Sequence, residues 1–130
     1  MPHCLTPLLA APDDRFGLWN RRTGLPIATR LVPAFDSAGR RQGLLGRTGL
    51  AAGEALVLAP CSAIHTAFMR FPLDLLFLDK AGTVLKVASG VGPWRVRAAW
   101  GGFAVVELAG GALAASETRQ GDAVEVRTIV

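Results

Sequence analysis

The stretch FPLDLLFLDKAGTVLKVAS, residues 71–89, decides the fold of this 130-residue chain. Two apolar runs rich in leucine, valine and phenylalanine flank the segment DKAG at residues 79–82. Aspartate and glycine suit a tight turn between two strands. The stretch therefore predicts a β-hairpin at the centre of the molecule.

One carboxylate interrupts the first predicted strand of this hairpin. Side chains alternate along a strand, so Asp74 shares a face with Leu76 and Leu78. If that face is core, an ionised carboxylate needs a charged partner or several hydrogen-bond donors. We expect such a partner among Arg47, Arg70 and His65; the alternative is a general acid or base with a raised pKa.

Further short strands are predicted on both sides of the central hairpin. Apolar runs indicate strands in 54–60, 103–111 and 122–130, and a first hairpin around NRRTG at 20–24. Helices of about two turns are predicted after Asp36 or Ser37, held by packing of Leu44 and Leu45, and within 112–121. This pattern predicts a mainly β single domain, a small barrel or sandwich-like fold with one or two short helices.

The composition of the chain is typical of a folded globular domain. Hydrophobic residues make up 51% of the chain and charged residues 18%, which is enough apolar material for one folded domain. We assign residues 16–130 to that domain and residues 1–15 to a flexible N-terminal tail. No signal-peptide pattern or membrane-spanning stretch is evident, so a cytoplasmic protein without membrane partners is expected.

Charge gives little support to nucleic-acid binding. The formal net charge is +4, and Lys80 and Lys86 are the only basic residues that are not arginine. The arginines are scattered rather than clustered. The exception is the segment with Trp94, Arg95, Arg97 and Trp100, where aromatic and basic side chains interleave and could stack on a base or a sugar ring. Tryptophans that cover one end of the core are the alternative interpretation.

A polar cluster consisting of Cys61, Ser62, His65 and Thr66 lies where one predicted strand gives way to the next. Strand ends are common places for sites. A cysteine and a histidine four residues apart fall short of the three or four ligands that zinc uses, so no metal or cofactor is expected. A nucleophilic Cys61 would need an activated thiolate and an oxyanion hole, neither of which a sequence displays.

Three stretches of the chain together resemble a known family. RRQGLLGRTGL (40–50), IHTAFMRFPLDLLFLDKAGTVL (64–85) and PWRVRAAWGGFAVVELAGGAL (93–113), followed by QGDAVEV (120–126), occur in the order typical of the family called domain of unknown function 192. The resemblance covers about residues 25–126, with Ala67 where a larger residue is common. It implies a small β-barrel-like domain with no established reaction.

Three functions are compatible with these residues. The first is a non-catalytic module that binds a small molecule or a protein. Its candidate binding residues are His65, Thr66, Arg70, Asp74, Arg47 and Trp94. The second is a hydrolase-type enzyme that uses His65 with Asp74, or Cys61. The third is single-stranded nucleic-acid binding through the arginines and tryptophans. The absence of a complete catalytic set favours the binding module over the enzyme.

Overall fold

Ten strands and three short helices form the part of the chain that the computed structural model describes, which is residues 2–11, 14–42 and 47–129. In chain order they are α1 (Thr6–Ala10), β1 (Phe16–Asn20), β2 (Pro26–Ala28), β3 (Arg30–Ala34), α2 (Ser37–Gln42), β4 (Glu54–Leu58), β5 (Ala63–His65), β6 (Leu73–Leu78), β7 (Val84–Val91), β8 (Val96–Ala98), β9 (Ala104–Ala109), α3 (Ala112–Ala115) and β10 (Val124–Thr128). The protein is a mainly β single domain, as the sequence predicts.

The central element is a five-stranded sheet in the order β3-β4-β9-β6-β7. Strands β6 and β7 form the predicted hairpin, and β6 also pairs antiparallel with β9. Strand β4 pairs antiparallel with β9 and parallel with β3 at the edge. The hairpin at residues 71–89 thus provides two of the five strands, and the prediction of a central hairpin is confirmed.

Both faces of this sheet are buried, which explains why its strands read as continuous apolar runs. One face carries Leu76, Leu78, Val106 and Leu108 among others, and packs on residues of β1, β2 and β10. The opposite face carries Leu56, Leu75, Phe77 and Val105 and packs on Leu50, Cys61, Ile64, Met69 and Phe71. The segment between β4 and β6, together with Leu50 before β4, therefore covers this second face.

Two smaller sheets complete the fold. One has three strands in the order β10-β1-β2, and the other pairs β5 with β8. Within the residues that are described, none of the three sheets closes into a barrel, so the predicted barrel or sandwich shape stays without support.

The turn of the central hairpin requires its glycine. Gly82 has a φ of +89°, and a Cβ atom there would lie 2.8 Å from the carbonyl oxygen of Val124. Asp79 fixes the turn because one of its carboxylate oxygens accepts the backbone N–H groups of Ala81 and Thr83. The aspartate and glycine of the DKAG segment thus have the roles that the turn prediction gives them.

The N-terminal segment packs on the domain and differs in this from the loose tail predicted for residues 1–15. Leu5 and Leu8 are buried in the core, and the backbone N–H of Cys4 donates to the carbonyl oxygen of Lys80 at 2.8 Å. Leu5 and Leu8 stand three positions apart, so they lie on one side of α1. Pro7 fits the first turn of that helix, where no N–H is needed.

The helices are short, as predicted, but there are three of them. Helix α2 begins after Asp36, whose carboxylate accepts the N–H of Gly39, and α3 lies within the predicted range 112–121. The helix α1 was not predicted. Leu44 and Leu45, which were expected to anchor α2, lie outside the described residues.

A buried polar network joins the first and last strands. The Asn20 side-chain amide donates to Asp122 at 2.9 Å and to Thr118 at 3.2 Å, while the Nε of Arg22 donates to Asp122 at 2.7 Å. The Arg22 guanidinium holds the pKa of the Asp122 carboxyl well below its usual range, and a hydrogen bond from the Arg119 backbone acts in the same direction. Both oxygens of the Asp122 carboxylate accept hydrogen bonds within the fold, so its role is structural.

Candidate functional site

The β5–β8 pair brings two loops together. In this antiparallel pair His65 lies opposite Val96 and Ile64 lies opposite Arg97. Residues opposite each other in an antiparallel pair point to the same face. His65 and Val96 are both exposed, whereas Ile64 packs on the buried face of the five-stranded sheet. One face of the pair is therefore anchored to the core and the other is open to solvent.

Thr66 connects the two loops that adjoin this pair. It is 1% exposed, and its hydroxyl donates to the carbonyl oxygen of Gly92 at 2.7 Å and accepts the N–H of Arg95 at 2.9 Å. Its own N–H donates to Arg95, and its carbonyl oxygen accepts the N–H groups of Met69 and Trp94. Thr66 is thus a positioning residue that fixes residues 66–69 against residues 92–95.

Phe68 and Trp94 lie on these loops in an unusual backbone conformation. Their φ angles are +64° and +62°, in the left-handed region that bulky residues rarely adopt. The side chains are 70% and 64% exposed, and their rings meet edge to face with centroids 4.6 Å apart. A left-handed backbone costs on the order of 1–2 kcal/mol of conformational free energy per non-glycine residue. The fold therefore places these two rings in solvent at the expense of some stability.

Two exposed arginines lie on the same loops as the two rings, Arg70 and Arg95. Arg97 lies opposite Ile64, on the anchored face of the β5–β8 pair. The salt bridges between described residues involve other arginines, and none includes these three. We call Phe68, Trp94, Val96, His65, Arg70 and Arg95 the loop surface. It combines exposed apolar area with two arginines that form no salt bridge to a described residue.

The structure separates Asp74 from the loop surface. Its carboxylate is 1% exposed and accepts three backbone N–H groups, from Gly90 at 2.9 Å, Gly111 at 3.1 Å and Leu113 at 3.0 Å. The expected neutralising partner is therefore not Arg47, Arg70 or His65. Backbone amides of β7 and of the start of α3 satisfy the acid instead, which gives Asp74 a structural role.

Arg47 also lies apart from the loop surface. Its Nη1 donates to the Glu54 carboxylate at 2.7 Å, at the start of β4. Of the six residues predicted as ligand-binding, the structure brings together His65, Thr66 and Trp94, places Arg70 on the same loop, and separates Asp74 and Arg47. The role of these residues in binding stays a prediction.

Sequence reasoning missed two residues. The exposed Phe68 gave no signal, because a left-handed backbone cannot be deduced from an isolated phenylalanine. Glu107 did give a signal, since it interrupts the apolar run of β9 just as Asp74 interrupts that of β6. Glu107 is 5% exposed and lies between Leu56 of β4 and Leu75 of β6.

The Glu107 carboxyl is poorly solvated. Burial raises its pKa from 4.5 to about 7, and the positive charge of Arg47 partly offsets this rise. Its Oε2 atom has no hydrogen-bond partner among the residues described. A carboxyl group in such surroundings carries its proton near neutral pH more often than an exposed one does.

The two cysteines are poor nucleophiles in this structure. The Cys61 thiol donates to the carbonyl oxygen of Ala63 at 3.2 Å, and burial is the largest cause that raises its pKa above the usual value. Burial, together with the charge of Asp79, raises the pKa of Cys4 to about 11. Thiols rather than thiolates are therefore present at neutral pH. Within the described residues 2–11, 14–42 and 47–129, no group of three His, Cys, Asp or Glu side chains that could hold a metal ion is found.

The fold and these loops define a small, mainly β domain with its candidate residues on two adjoining loops. Residues 18–126 match the family domain of unknown function 192, described as "Uncharacterized ACR". The chain belongs to this family, which confirms the resemblance seen in the sequence. Comparison with curated proteins gave no match.

Two solved structures are similar to this chain. One is a protein of unknown function from Novosphingobium aromaticivorans, 26% identical, with a TM-score of 0.73 over 85% of this chain and 83% of that one. The other, from Sinorhizobium meliloti, is described as a candidate transcription regulator; it is 22% identical, with a TM-score of 0.75 over 87% of this chain and 92% of that one. The second likeness shows the fold alone. In the described part of the chain no helix is long and apolar enough to cross a membrane.

Proposed function

We propose that this chain is a non-catalytic binding domain whose loop surface captures a protein segment that carries apolar side chains and carboxylates. The observation that carries the proposal is the pair Phe68 and Trp94, held in left-handed backbone with most of each ring in water. Glycine would adopt the same backbone at no steric cost. Aromatic residues at such positions are best explained by what their side chains contact outside the domain.

The chemistry of the partner follows from the chemistry of the surface. Aromatic rings provide contact area with few rotatable bonds to immobilise, which suits recognition of apolar side chains. Arg70 and Arg95 add positive charge that no salt bridge to a described residue neutralises. Carboxylates on the partner would supply the complementary charge and speed association.

The enzyme alternative has less support. Asp74 is occupied by three backbone N–H groups, so it has little capacity left to act as a base for His65. Cys61 has a raised pKa and lies half-buried, the reverse of an activated nucleophile. A binding role needs neither residue to change its protonation state.

The test is selection of random 12-residue peptides displayed on phage, against the wild type and against the variants Trp94→Gly and Phe68→Gly. We expect acidic peptides with aromatic or aliphatic residues to be enriched on the wild type and lost on both variants. Glycine relieves the left-handed strain, so each variant should unfold at equal or higher urea concentration than the wild type. Loss of binding would then not reflect loss of folding.

Trp100→Ala is the matched control. Trp100 is 99% exposed and lies beyond the other end of β8, so its removal deletes the same kind of side chain outside the loop surface. Peptide binding should persist in this variant. Enriched peptides that bind Trp94→Gly as well as the wild type would contradict the proposal. Retention of a twelve-nucleotide thymidine oligonucleotide at low salt, lost as salt rises, would favour the nucleic-acid alternative instead.

A further inference from the structure

A second feature, separate from the loop surface, is a cavity of about 230 Å³ that is partly open to solvent and is lined in part by the N-terminal segment. Its apolar walls come from Leu5, Leu9, Phe35 and Pro60. A dry cavity of about 150 Å³ lined by apolar side chains is enough to bind benzene, so this one has room for an aromatic ring with a short substituent.

His3 is the polar side chain in the lining of this cavity, and it packs against Phe103. Their rings are 4.7 Å apart, and the Nδ1 of His3 accepts the backbone N–H of Leu5 at 3.1 Å. An imidazole whose Nδ1 accepts a hydrogen bond carries its proton on Nε2. The other side of the His3 ring is therefore a hydrogen-bond donor among otherwise apolar walls.

A wider cleft adjoins the cavity. The cleft shares Pro60 and Phe103 with the cavity and is also lined by Asp79 and Lys80. The Lys80 ammonium lies 5.8 Å from the centroid of the Phe103 ring, and within the described residues it forms no ion pair. Asp79 has one carboxylate oxygen occupied by two backbone N–H groups of the hairpin turn. The cation available at the junction is therefore Lys80.

We propose that the cavity and the adjoining cleft bind a small monocarboxylate with a compact apolar body, such as an arylacetate. The ring of the ligand occupies the apolar cavity between Leu9 and Phe35. Its carboxylate lies at the junction, where Lys80 supplies the positive charge and His3 a neutral donor.

The test is titration of the ¹⁵N-labelled full chain with phenylacetate, followed by the amide signals of residues around Leu9, Lys80 and Phe103. Saturable shifts at these positions are expected. Phenylacetamide has the same shape without the charge and serves as the matched ligand. Lys80→Met should weaken phenylacetate binding by about two- to five-fold, the effect of one exposed ion pair, and leave phenylacetamide binding unchanged.

Leu9→Trp fills the cavity and should abolish the binding of both ligands. Leu9 is 55% exposed, so a larger side chain can be accommodated without disturbing the core, and a preserved amide spectrum would show this. Trp94→Gly should bind phenylacetate like the wild type, which separates this site from the loop surface. Shifts that do not saturate by 10 mM (about −2.7 kcal/mol), or affinities unchanged in both Lys80→Met and Leu9→Trp, would overturn the proposal.

Discussion

At the scale of single residues, two buried acids in similar sequence contexts have opposite environments. Asp74 and Glu107 each interrupt an apolar strand of the five-stranded sheet. Asp74 receives three backbone N–H groups, whereas Oε2 of Glu107 has no partner in the described chain. The difference arises because Asp74 stands at the start of β6, next to loop amides, while Glu107 lies between paired strands whose amides are already used.

Sequence analysis identified Asp74 but not Glu107, and the partners that it expected for Asp74 were wrong. Alternation along a strand placed Asp74 correctly on the face of Leu76 and Leu78. The expected partners were charged side chains, because only these can be recognised in a sequence. Backbone amides of a bulge in β7 and of the residues at the start of α3 become donors only through their geometry, which depends on contacts distant in the chain.

The raised pKa of the buried Glu107 carboxyl leads to a prediction on pH-dependent stability. The folded protein holds this proton up to a pH of about 7, whereas an unfolded chain releases it near pH 4.5. The folded state thus binds more protons between these values, and the free energy of unfolding falls as pH rises through the window. Two and a half pH units correspond to about 3 kcal/mol for a fully realised shift.

Glu107→Gln should remove this dependence. We expect the variant and the wild type to have similar stability in urea at pH 4, and the variant to be more stable by about 1–3 kcal/mol at pH 8. Urea titrations of both proteins at pH 4, 6 and 8 measure the difference, and titrations of all other groups cancel in it. Equal stability of the two proteins at every pH would show that Glu107 is solvated in solution.

At the scale of elements, the short β5–β8 pair brings together the two loops that carry the candidate residues. Each strand has three residues, too few to predict from their pattern. The pairing depends on the Thr66 hydroxyl, which makes its hydrogen bonds to residues 26 or more positions away. Sequence analysis selected Thr66, His65 and Trp94 for their chemistry and could not show that they would adjoin.

Thr66 allows a prediction at this scale. Thr66→Val keeps the shape of the side chain but leaves the N–H of Arg95 without its hydroxyl acceptor and the carbonyl oxygen of Gly92 without its donor. A buried group left unsatisfied costs about 1–3 kcal/mol, so we expect a loss of stability of that size. Faster hydrogen exchange at residues 92–97 should accompany it, since these residues depend on Thr66.

Thr66→Ser is the matched control because it keeps the hydroxyl and removes one methyl group. It should retain slow exchange at residues 92–97 and most of the stability. Similar exchange in the valine and serine variants would show that the methyl group, and not the hydroxyl, fixes the loops. Peptide binding, if the loop surface acts as proposed, should be weakened in Thr66→Val and kept in Thr66→Ser.

At the scale of the whole molecule, the apolar runs of the sequence located the strands but not their arrangement. Runs at 54–60, 71–78 and 103–111 correspond to β4, β6 and β9, the three inner strands of the five-stranded sheet. These strands are easy to recognise in the sequence because both of their faces are buried, which makes each strand a continuous apolar run. Their order, the parallel pairing of β3 with β4 and the division into three sheets depend on contacts between distant segments, which a periodic pattern does not encode.

The N-terminal segment is the part of the whole molecule that sequence reasoning placed least well. A proline-interrupted run of leucines has no clear period, so it resembles a loose tail. In the structure the same run closes one side of the core: Leu5 is 1% exposed and packs with residues of the first core face, and Leu8 lies beside it. The segment also provides three of the residues that line the cavity proposed as a ligand site.

Leu5→Ala in the full chain tests this packing. Removing a fully buried leucine side chain costs about 2–5 kcal/mol, so we expect a loss in the free energy of unfolding within that range. Leu9→Ala removes the same side chain from a position that is more than half exposed and should change stability by less than about 1 kcal/mol. If Leu5→Ala changed the urea midpoint no more than Leu9→Ala did, the segment would be a tail after all. A loss confined to Leu5→Ala would instead make residues 3–11 an integral part of the domain, since only a leucine that is buried in solution can leave a cavity when it is shortened.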